Sequence, residues 1–242
     1  MNLIWVEDDA EVGECAAETV LSLVRREPAA RLALPTGRTP LGLYAVLRGA
    51  AADRALDASR LRIFNLDEFV GLQATHEHSY AGYLQAQFVT PLGIAPDNVR
   101  LLDGTAADPA AECAAHELVI AAGGGLDLAI LGLGANGHLA FNEPGCDWSA
   151  AGRVVELSAR TRAAHREGLA ANDTAPPELA LTIGLPTLLA ARAVLLLVGG
   201  AAKREALQRL ITGAPDPAWP VTALAAHAAL TVIAPVALKA RR

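Results

Sequence analysis

This sequence has few cysteines, no long apolar run and no excess of positive charge. The three cysteines, Cys15, Cys113 and Cys146, are odd in number and lack the spacing of a metal site. This pattern is typical of reduced thiols and argues against a disulfide scaffold. The strongest apolar run, AVLLLVGGAA, is too short to span a bilayer, and MNLIWVEDDAE at the amino terminus does not resemble a signal peptide. We therefore expect a soluble, cytoplasmic protein with no membrane partner.

Basic residues are outnumbered by acidic ones, with 20 Lys and Arg against 26 Asp and Glu and a formal net charge of -6. They are scattered along the chain, so a nucleic-acid partner is not expected. Apolar residues are plentiful, at 52% of 242 residues, and can bury a sizeable core. No linker divides the sequence. We predict a single domain, 1–242, in which the polar stretch around 158–180 is a candidate lid.

Short apolar runs alternate with stretches of helical periodicity. The runs, each ending at turn or polar residues, are RLALPTG, LRIFNLDEF, LDLAILGLG, AVLLLVGG and LTVIAPV. Helical spacing occupies 9–26, 40–52, 109–122 and 201–211. Buried parallel strands joined by crossover helices predict a three-layer α/β/α fold with a doubly wound, mostly parallel sheet. Because ligands bind beyond the carboxyl ends of such strands, the loops after these runs are candidate sites.

The first of these loops is the turn LPTGRTP. Pro40 suits the first turn of a helix, and the free amides and hydroxyls of Thr36, Gly37, Arg38 and Thr39 ahead of it would bind an anion. The Arg38 guanidinium can hold two phosphate oxygens. An ordinary strand-to-helix turn capped by Thr39 explains the same residues equally well.

The second loop brings Asp67 and Glu68 directly after the apolar LRIF. A carboxylate at the mouth of a buried strand is partly desolvated, which raises its pKa toward the range of a general base. Taken alone, Asp67 also suits a helix or turn cap, and Glu68 a solvated or orienting position.

The third loop, ILGLGANGHLAFNEPG, combines Asn136, His138 and Glu143 with three glycines ahead of the histidine, Gly132, Gly134 and Gly137. Glycines let the backbone pass close to a ligand. A histidine shuttles protons near neutral pH, and a carboxylate can fix its tautomer. A buried structural histidine is the alternative interpretation.

Taken together, the motifs resemble the glucosamine-6-phosphate deaminase family, in the superfamily that it shares with 6-phosphogluconolactonase. The resemblance covers nearly the whole chain: LPTGRTPLGLY, FNLDEFVGL, HEHSYAGYL, NVRLLDG, AECAAHE, LGLGANGHLAFNEPG, LTIGLPTLL, VGGAAKREAL and WPVTALAAH. GHLAFNEP stands where the lactonase branch has GHTASLFP, which favours the deaminase branch. The resemblance implies a Rossmann-like sheet and the conversion of glucosamine 6-phosphate and water to fructose 6-phosphate and ammonia, without a metal or cofactor.

The same resemblance implies a role for each matching residue. It places the substrate phosphate on one turn and one lysine, with the residues Thr36, Gly37, Arg38, Thr39 and Lys203. Asp67 would move a proton between C2 and C1, and His138 would open the sugar ring, positioned by Glu143 and Asn136. Such an isomerisation needs one carboxylate over the C1–C2 edge and a separate proton shuttle at the ring oxygen.

Two departures from the family pattern affect these roles. Several members have Asp in the GxDGH motif where this chain has Asn136, which can hydrogen-bond but cannot carry a charge or a proton. The family's lid arginine usually lies in an N-x-R-F-F-like segment, whereas the segment RTRAAHREGL offers Arg166, or Arg162, only in a shifted register.

Other functions remain open at this point. A lactonase or another sugar-phosphate isomerase is the enzymatic alternative, and a non-catalytic sugar-phosphate sensor is the other. A sensor needs a DNA-binding module, and no basic helix-turn-helix precedes this domain. Because the sequence ends soon after LTVIAPVALKARR, we expect a monomer or small homo-oligomer without activation by an amino sugar.

Overall fold

Short strands and helices alternate along the chain in the computed structural model, which describes residues 1–159, 161–162 and 177–239. Acidic side chains start two of the helices, because Asp8 and Asp108 each accept two backbone N–H bonds as N-caps. The strands are β1 Asn2–Val6, β2 Arg31–Leu34, β3 Arg62–Asn65, β4 Asp67–Phe69, β5 Val99–Arg100, β6 Leu128–Gly132, β7 Arg153–Glu156, β8 Leu179–Thr182, β9 Val194–Leu197 and β10 Leu230–Pro235. The helices are α1 Asp9–Arg26, α2 Leu41–Ala52, α3 Tyr80–Leu84, α4 Pro109–Ala122, α5 Leu185–Leu189 and α6 Arg204–Thr212.

The main sheet has seven strands, all parallel, in the order β1-β10-β9-β6-β2-β3-β5. From β2 the chain adds β3 and β5 on one side, and from β6 it adds β9 and β10 on the other. The predicted doubly wound sheet is therefore confirmed. The loops after β2 and β6 flank the point where the strand order reverses, which is where such folds bind ligands.

Helices cover both faces of this sheet, because successive strand residues point to opposite sides. In β9, Leu195 packs in the core under α1, α2 and α3, whereas Leu196 packs in the core under α4, α5 and α6. The first two helices touch through their backbones: a Cβ on Gly13 of α1 would lie 2.5 Å from the carbonyl carbon of Gly42 in α2. In the described part of the chain, no helix is long and apolar enough to cross a membrane.

A second sheet, which the sequence did not predict, pairs β4, β8 and β7 in an antiparallel arrangement. The run LRIFNLDEF is not one strand, because it ends in the main sheet at Asn65 and resumes in the second sheet at Asp67. Buried Asn65 makes this turn: its Nδ2 donates to the Asp67 carbonyl at 2.8 Å, and its Oδ1 accepts the Leu102 N–H at 2.9 Å. The apolar pattern runs unbroken through this turn, so periodicity alone could not reveal it.

Candidate active site

The loops that carry the predicted site residues follow β9, β6, β2 and β3, which are neighbours in the main sheet. Because these strands are parallel, their carboxyl ends share one edge. The topology thus brings together residues that are far apart in sequence: Thr36–Thr39, Asp67, Asn136–Glu143 and Lys203.

Some polar groups of the turn after β2 are already bonded within the protein, but its side chains do not cap the helix that follows. Gly37 has a φ of +93°, and its carbonyl accepts the Tyr83 hydroxyl at 2.6 Å. The residue that caps α2 is Pro40, with no side-chain hydrogen bond, so the interpretation of Thr39 as a cap was wrong. The Arg38 side chain is exposed. The Thr39 and Arg38 side chains are therefore not used as the cap of α2.

The loop after β9 lies against this turn. A Cβ on Gly199 would stand 3.4 Å from the Thr39 side chain. The N–H of Gly200 donates to the Asp9 carboxylate, 3.1 Å from each oxygen, and Gly200 has a φ of +83°. Lys203 follows, half-buried, at the end of a 3₁₀ turn. The loop is thus held beside the turn after β2, and Lys203 lies at the same edge of the sheet.

Asp67, the predicted base, is 7% exposed in β4 and is not a turn cap. Burial raises its pKa well above the usual range of a carboxyl, and the neighbouring charge of Glu68 raises it further. A carboxyl with a raised pKa can both accept and return a proton near neutral pH.

Glu68 is buried rather than solvated, which corrects one of the two interpretations of its position. It is 1% exposed, and it accepts four hydrogen bonds. The donors are the N–H groups of Phe69, Tyr80 and Ala81 and the hydroxyl of Ser79. Burial raises its pKa, while these four bonds oppose the rise. Glu68 therefore orients the start of α3 next to Asp67.

Tyr80 joins the two sides of the site and was not among the predicted residues. Its hydroxyl and the Thr36 side chain are hydrogen-bonded, and burial followed by the nearby Asp67 charge raises its pKa well above normal. Its ring stacks on Phe141, with centroids 5.9 Å apart. Phe141 belongs to the loop after β6, which carries His138 and is called the histidine loop below. Only the resemblance of HEHSYAGYL to the family pointed to this segment.

The loop after β6 holds a histidine and a carboxylate face to face. His138 Nδ1 lies 3.7 Å from Glu143 Oε1, and the two side chains are 30% and 18% exposed. Asn136 Nδ2 donates to Glu143 Oε2 at 2.8 Å, and Asn136 Oδ1 accepts the His138 backbone N–H at 3.3 Å. Asn136 therefore braces both partners, through a carboxylate on one side and the backbone on the other.

Strand β8 connects Asp67 to this loop. Thr182 lies opposite Asp67 in the antiparallel sheet, and its hydroxyl accepts the N–H of Phe141 at 3.1 Å. Asn142 Nδ2 donates to the carbonyl of Ile183, the residue after Thr182, at 2.9 Å. One strand thus fixes Asp67 relative to the histidine loop.

Of the two candidate lid arginines, the structure describes only one. Arg166 and most of the candidate lid, residues 163–176 and 160, lie outside the described residues. Arg162 is described, and its Nη1 pairs with Glu178 at 3.1 Å. Among the described residues, no group of three or more His, Cys, Asp or Glu side chains could hold a metal ion.

The geometry is that of an acid–base enzyme on a doubly wound α/β fold. The sequence description of one family, glucosamine-6-phosphate isomerases/6-phosphogluconolactonase, matches residues 9–233. The chain belongs to this family.

Individual relatives agree with that assignment. A Beutenbergia cavernae protein named glucosamine-6-phosphate deaminase is 38% identical over 241 residues, which are 100% of this chain and 92% of the relative. A solved monomeric glucosamine-6-phosphate deaminase superposes with a TM-score of 0.94 at 32% identity, covering 98% of each chain. A 6-phosphogluconolactonase from Trypanosoma cruzi, at 21% identity, has a TM-score of 0.78 and covers 96% of this chain and 93% of its own, so it shares the fold.

Proposed function

We propose that the protein is a glucosamine-6-phosphate deaminase, which converts glucosamine 6-phosphate and water to fructose 6-phosphate and ammonia. The observation that carries the proposal is the pairing of a buried carboxylate, Asp67, with the half-exposed His138 and Glu143 at one sheet edge. This reaction needs two separate proton-transfer groups, and the site offers Asp67 as one and His138 with Glu143 as the other. The deaminase names of the full-length relatives support the same substrate.

The substrate phosphate rests on the turn after β2 and on the lysine after β9. Arg38 and Lys203 supply positive charge, while Thr36, Gly37 and Thr39 supply hydroxyl and amide donors. Charge-assisted bonds to phosphate are among the strongest polar contacts, so they anchor the substrate while its other end reacts. Arg166 remains a proposed additional ligand.

Three steps follow at the sugar. His138, with Glu143 beside it, exchanges a proton with the ring oxygen and the C1 hydroxyl, which opens the ring to the aldehyde. Asp67 then takes the proton from C2 while the C1 oxygen gains a proton, which gives an enolamine. Asp67 returns its proton to C1 and the amino group loses a proton, which leaves a hydroxyl at C1 and an imine at C2. Water adds to this imine and ammonia leaves, so C2 becomes the ketone of fructose 6-phosphate.

A substrate panel tests the proposal directly. Purified protein is given glucosamine 6-phosphate, galactosamine 6-phosphate, glucosamine and 6-phosphogluconolactone, and ammonia and ketose phosphate are measured. We expect both products from glucosamine 6-phosphate and much weaker binding of unphosphorylated glucosamine in calorimetry. Lactone hydrolysis without ammonia release would replace the deaminase with a lactonase, and binding without turnover would indicate a sensor.

We further propose a cytoplasmic monomer or small homo-oligomer. Three free thiols support the location, and similarity to a monomeric deaminase supports the small assembly. Light scattering during size-exclusion chromatography measures the oligomeric state.

A further inference from the structure

Two hydroxyl side chains follow β7, and one of them, that of Thr161, reaches the loop after β6. The Thr161 hydroxyl donates a hydrogen bond to Glu143 Oε1. It accepts a bond from Ser158 Oγ at 3.0 Å, and the Thr161 N–H donates to the same Ser158 oxygen at 3.1 Å. Thr161 is 5% exposed, whereas Ser158 is exposed. Because an ionised carboxylate can only accept, the single hydroxyl proton of Thr161 points to Glu143.

The bond from Thr161 falls on the oxygen that faces the histidine. Glu143 Oε1 is the atom 3.7 Å from His138 Nδ1, while Oε2 accepts the Asn136 amide at 2.8 Å. Each carboxylate oxygen thus has its own donor, and the carboxylate cannot rotate without losing one. These two bonds determine which oxygen His138 meets, and from which direction.

We propose that Thr161 is a positioning residue for ring opening: its hydroxyl holds Glu143 Oε1 toward Nδ1 of His138, which keeps the imidazole proton on Nδ1 and leaves Nε2 to exchange a proton with the sugar. The tautomer of a histidine is set by the partner of its other ring nitrogen. A histidine in the wrong tautomer loses most of its activity as a proton shuttle. The role in ring opening rests on the proposed function, whereas the effect on the tautomer rests on the charge of Glu143 Oε1, which the hydrogen bonds hold 3.7 Å from Nδ1, beyond hydrogen-bond distance.

Matched variants isolate the hydroxyl. Thr161→Val keeps the side-chain shape and removes the donor, and Thr161→Ser restores it. Thr105→Val is the control, because Thr105 also donates its hydroxyl to a carboxylate, Asp103 Oδ1 at 2.7 Å, but on an exposed loop. Ser158→Ala removes the donor to Thr161 from an exposed position and serves as a second variant if Thr161→Val unfolds in a thermal melt.

The kinetic test uses glucosamine 6-phosphate with hydrogen or deuterium at C2. We expect Thr161→Val to lower kcat by about 10- to 100-fold with little change in KM, because proton shuttles contribute about 10²- to 10⁴-fold and this one is only misdirected. Its isotope effect on kcat should shrink toward one, since ring opening becomes slower than proton removal from C2. Thr161→Ser should return to within about threefold of the parent, and Thr105→Val should match the parent.

Nitrogen-15 NMR of the His138 imidazole gives a test that needs no activity. The parent and Thr161→Ser should carry the proton on Nδ1 at a pH where the ring is neutral, and Thr161→Val should show a mixture of tautomers. Ser158→Ala should shift both readouts in the same direction by a smaller amount. An unchanged tautomer in Thr161→Val, a rate loss with an unchanged isotope effect, or no rescue by serine would each overturn the proposal. If the parent releases no ammonia, the proposed function fails, and the tautomer still decides the role of Thr161.

Discussion

Two carboxylates of the candidate site, Asp67 and Glu143, lie in opposite environments. Asp67 is nearly inaccessible, and burial together with a neighbouring negative charge raises its pKa. Glu143 is partly exposed and accepts one hydrogen bond at each oxygen, from Asn136 and Thr161. Desolvation prepares a carboxyl to exchange protons, whereas hydrogen bonds prepare one to point in a fixed direction.

Glu68 shows that burial alone does not make a base. It adjoins Asp67 on the same strand and is even less exposed, yet it accepts four hydrogen bonds that oppose the rise in its pKa. Its lone pairs are occupied by the Phe69 N–H and by three donors at the start of α3, so it has none to offer a substrate. The difference between these neighbours lies in their donors.

Replacing the buried carboxylate should have the largest effect. Asp67→Asn should lower kcat by about 10²- to 10⁴-fold with little change in KM. The same change should raise the melting temperature. A folded pKa above the unfolded value favours the folded state at low pH, and that advantage is lost as the pH rises above about 4.

The gain in stability over the parent should therefore grow from pH 4 to pH 8. Calorimetric melts of both proteins across this pH range measure the stability difference, and steady-state kinetics measure the loss of kcat. A variant that is less stable than its parent at pH 8 would contradict the assignment of Asp67 as a destabilised charge.

His116 is buried, whereas His138 is partly exposed. His116 is 1% exposed, its Nε2 lies 3.2 Å from the Asn65 carbonyl, and burial lowers its pKa from 6.5 to about 4. Between these two values the unfolded chain binds a proton that the folded chain does not, so stability falls as the pH drops through this window. The expected loss is about 3 kcal/mol.

His116→Gln keeps a donor for the Asn65 carbonyl but cannot titrate. Urea unfolding at pH 7.5 and pH 4.5 should show a smaller acid-induced loss in this variant than in the parent. Equal losses in the two proteins would mean that His116 charges without disrupting the fold.

Replacing the oriented carboxylate should have a smaller effect than replacing the buried one. Glu143→Gln should lower kcat by about 10- to 100-fold, because the imidazole loses a partner but keeps its own proton-transfer capacity. The melting temperature should not rise, since the lost charge was already partly solvated. Parallel kinetics and melts of the two amide variants, at Asp67 and Glu143, test whether the two environments differ as described.

The smallest change concerns the residue that departs from the family motif. Asn136→Asp replaces the amide donor 2.8 Å from Glu143 with a second carboxylate, and like charges so close favour sharing a proton. The acid limb of the kcat/KM profile should therefore move to higher pH. Superimposable profiles would indicate that Asn136 serves only the backbone turn before Gly137, where φ is +83°.

The sequence predicted the main sheet and the loops that carry the candidate site residues, because buried parallel strands and the polar loops after them leave local patterns. It missed β1, β5, β7 and β8, which are short or depend on pairing partners distant in the chain. It also missed Thr182 and Thr161, single hydroxyls that become important only when the chain brings Phe141 and Glu143 to them. No spacing rule marks such residues, since the contact is made by the tertiary fold.

The pairing of β4 with β8 sets one distance in the site, and this distance can change only in steps of a whole residue. Asp67 faces Thr182, and Thr182 holds Phe141, so the distance from base to histidine loop is set by strand register. Moving the register by one residue would shift β8 by about 3.3 Å and turn Thr182 to the opposite side of the sheet. Gradual mutation cannot change that spacing in small steps. New substrates of different length would have to be accommodated by the surrounding loops, with the two proton-transfer groups kept at one fixed separation.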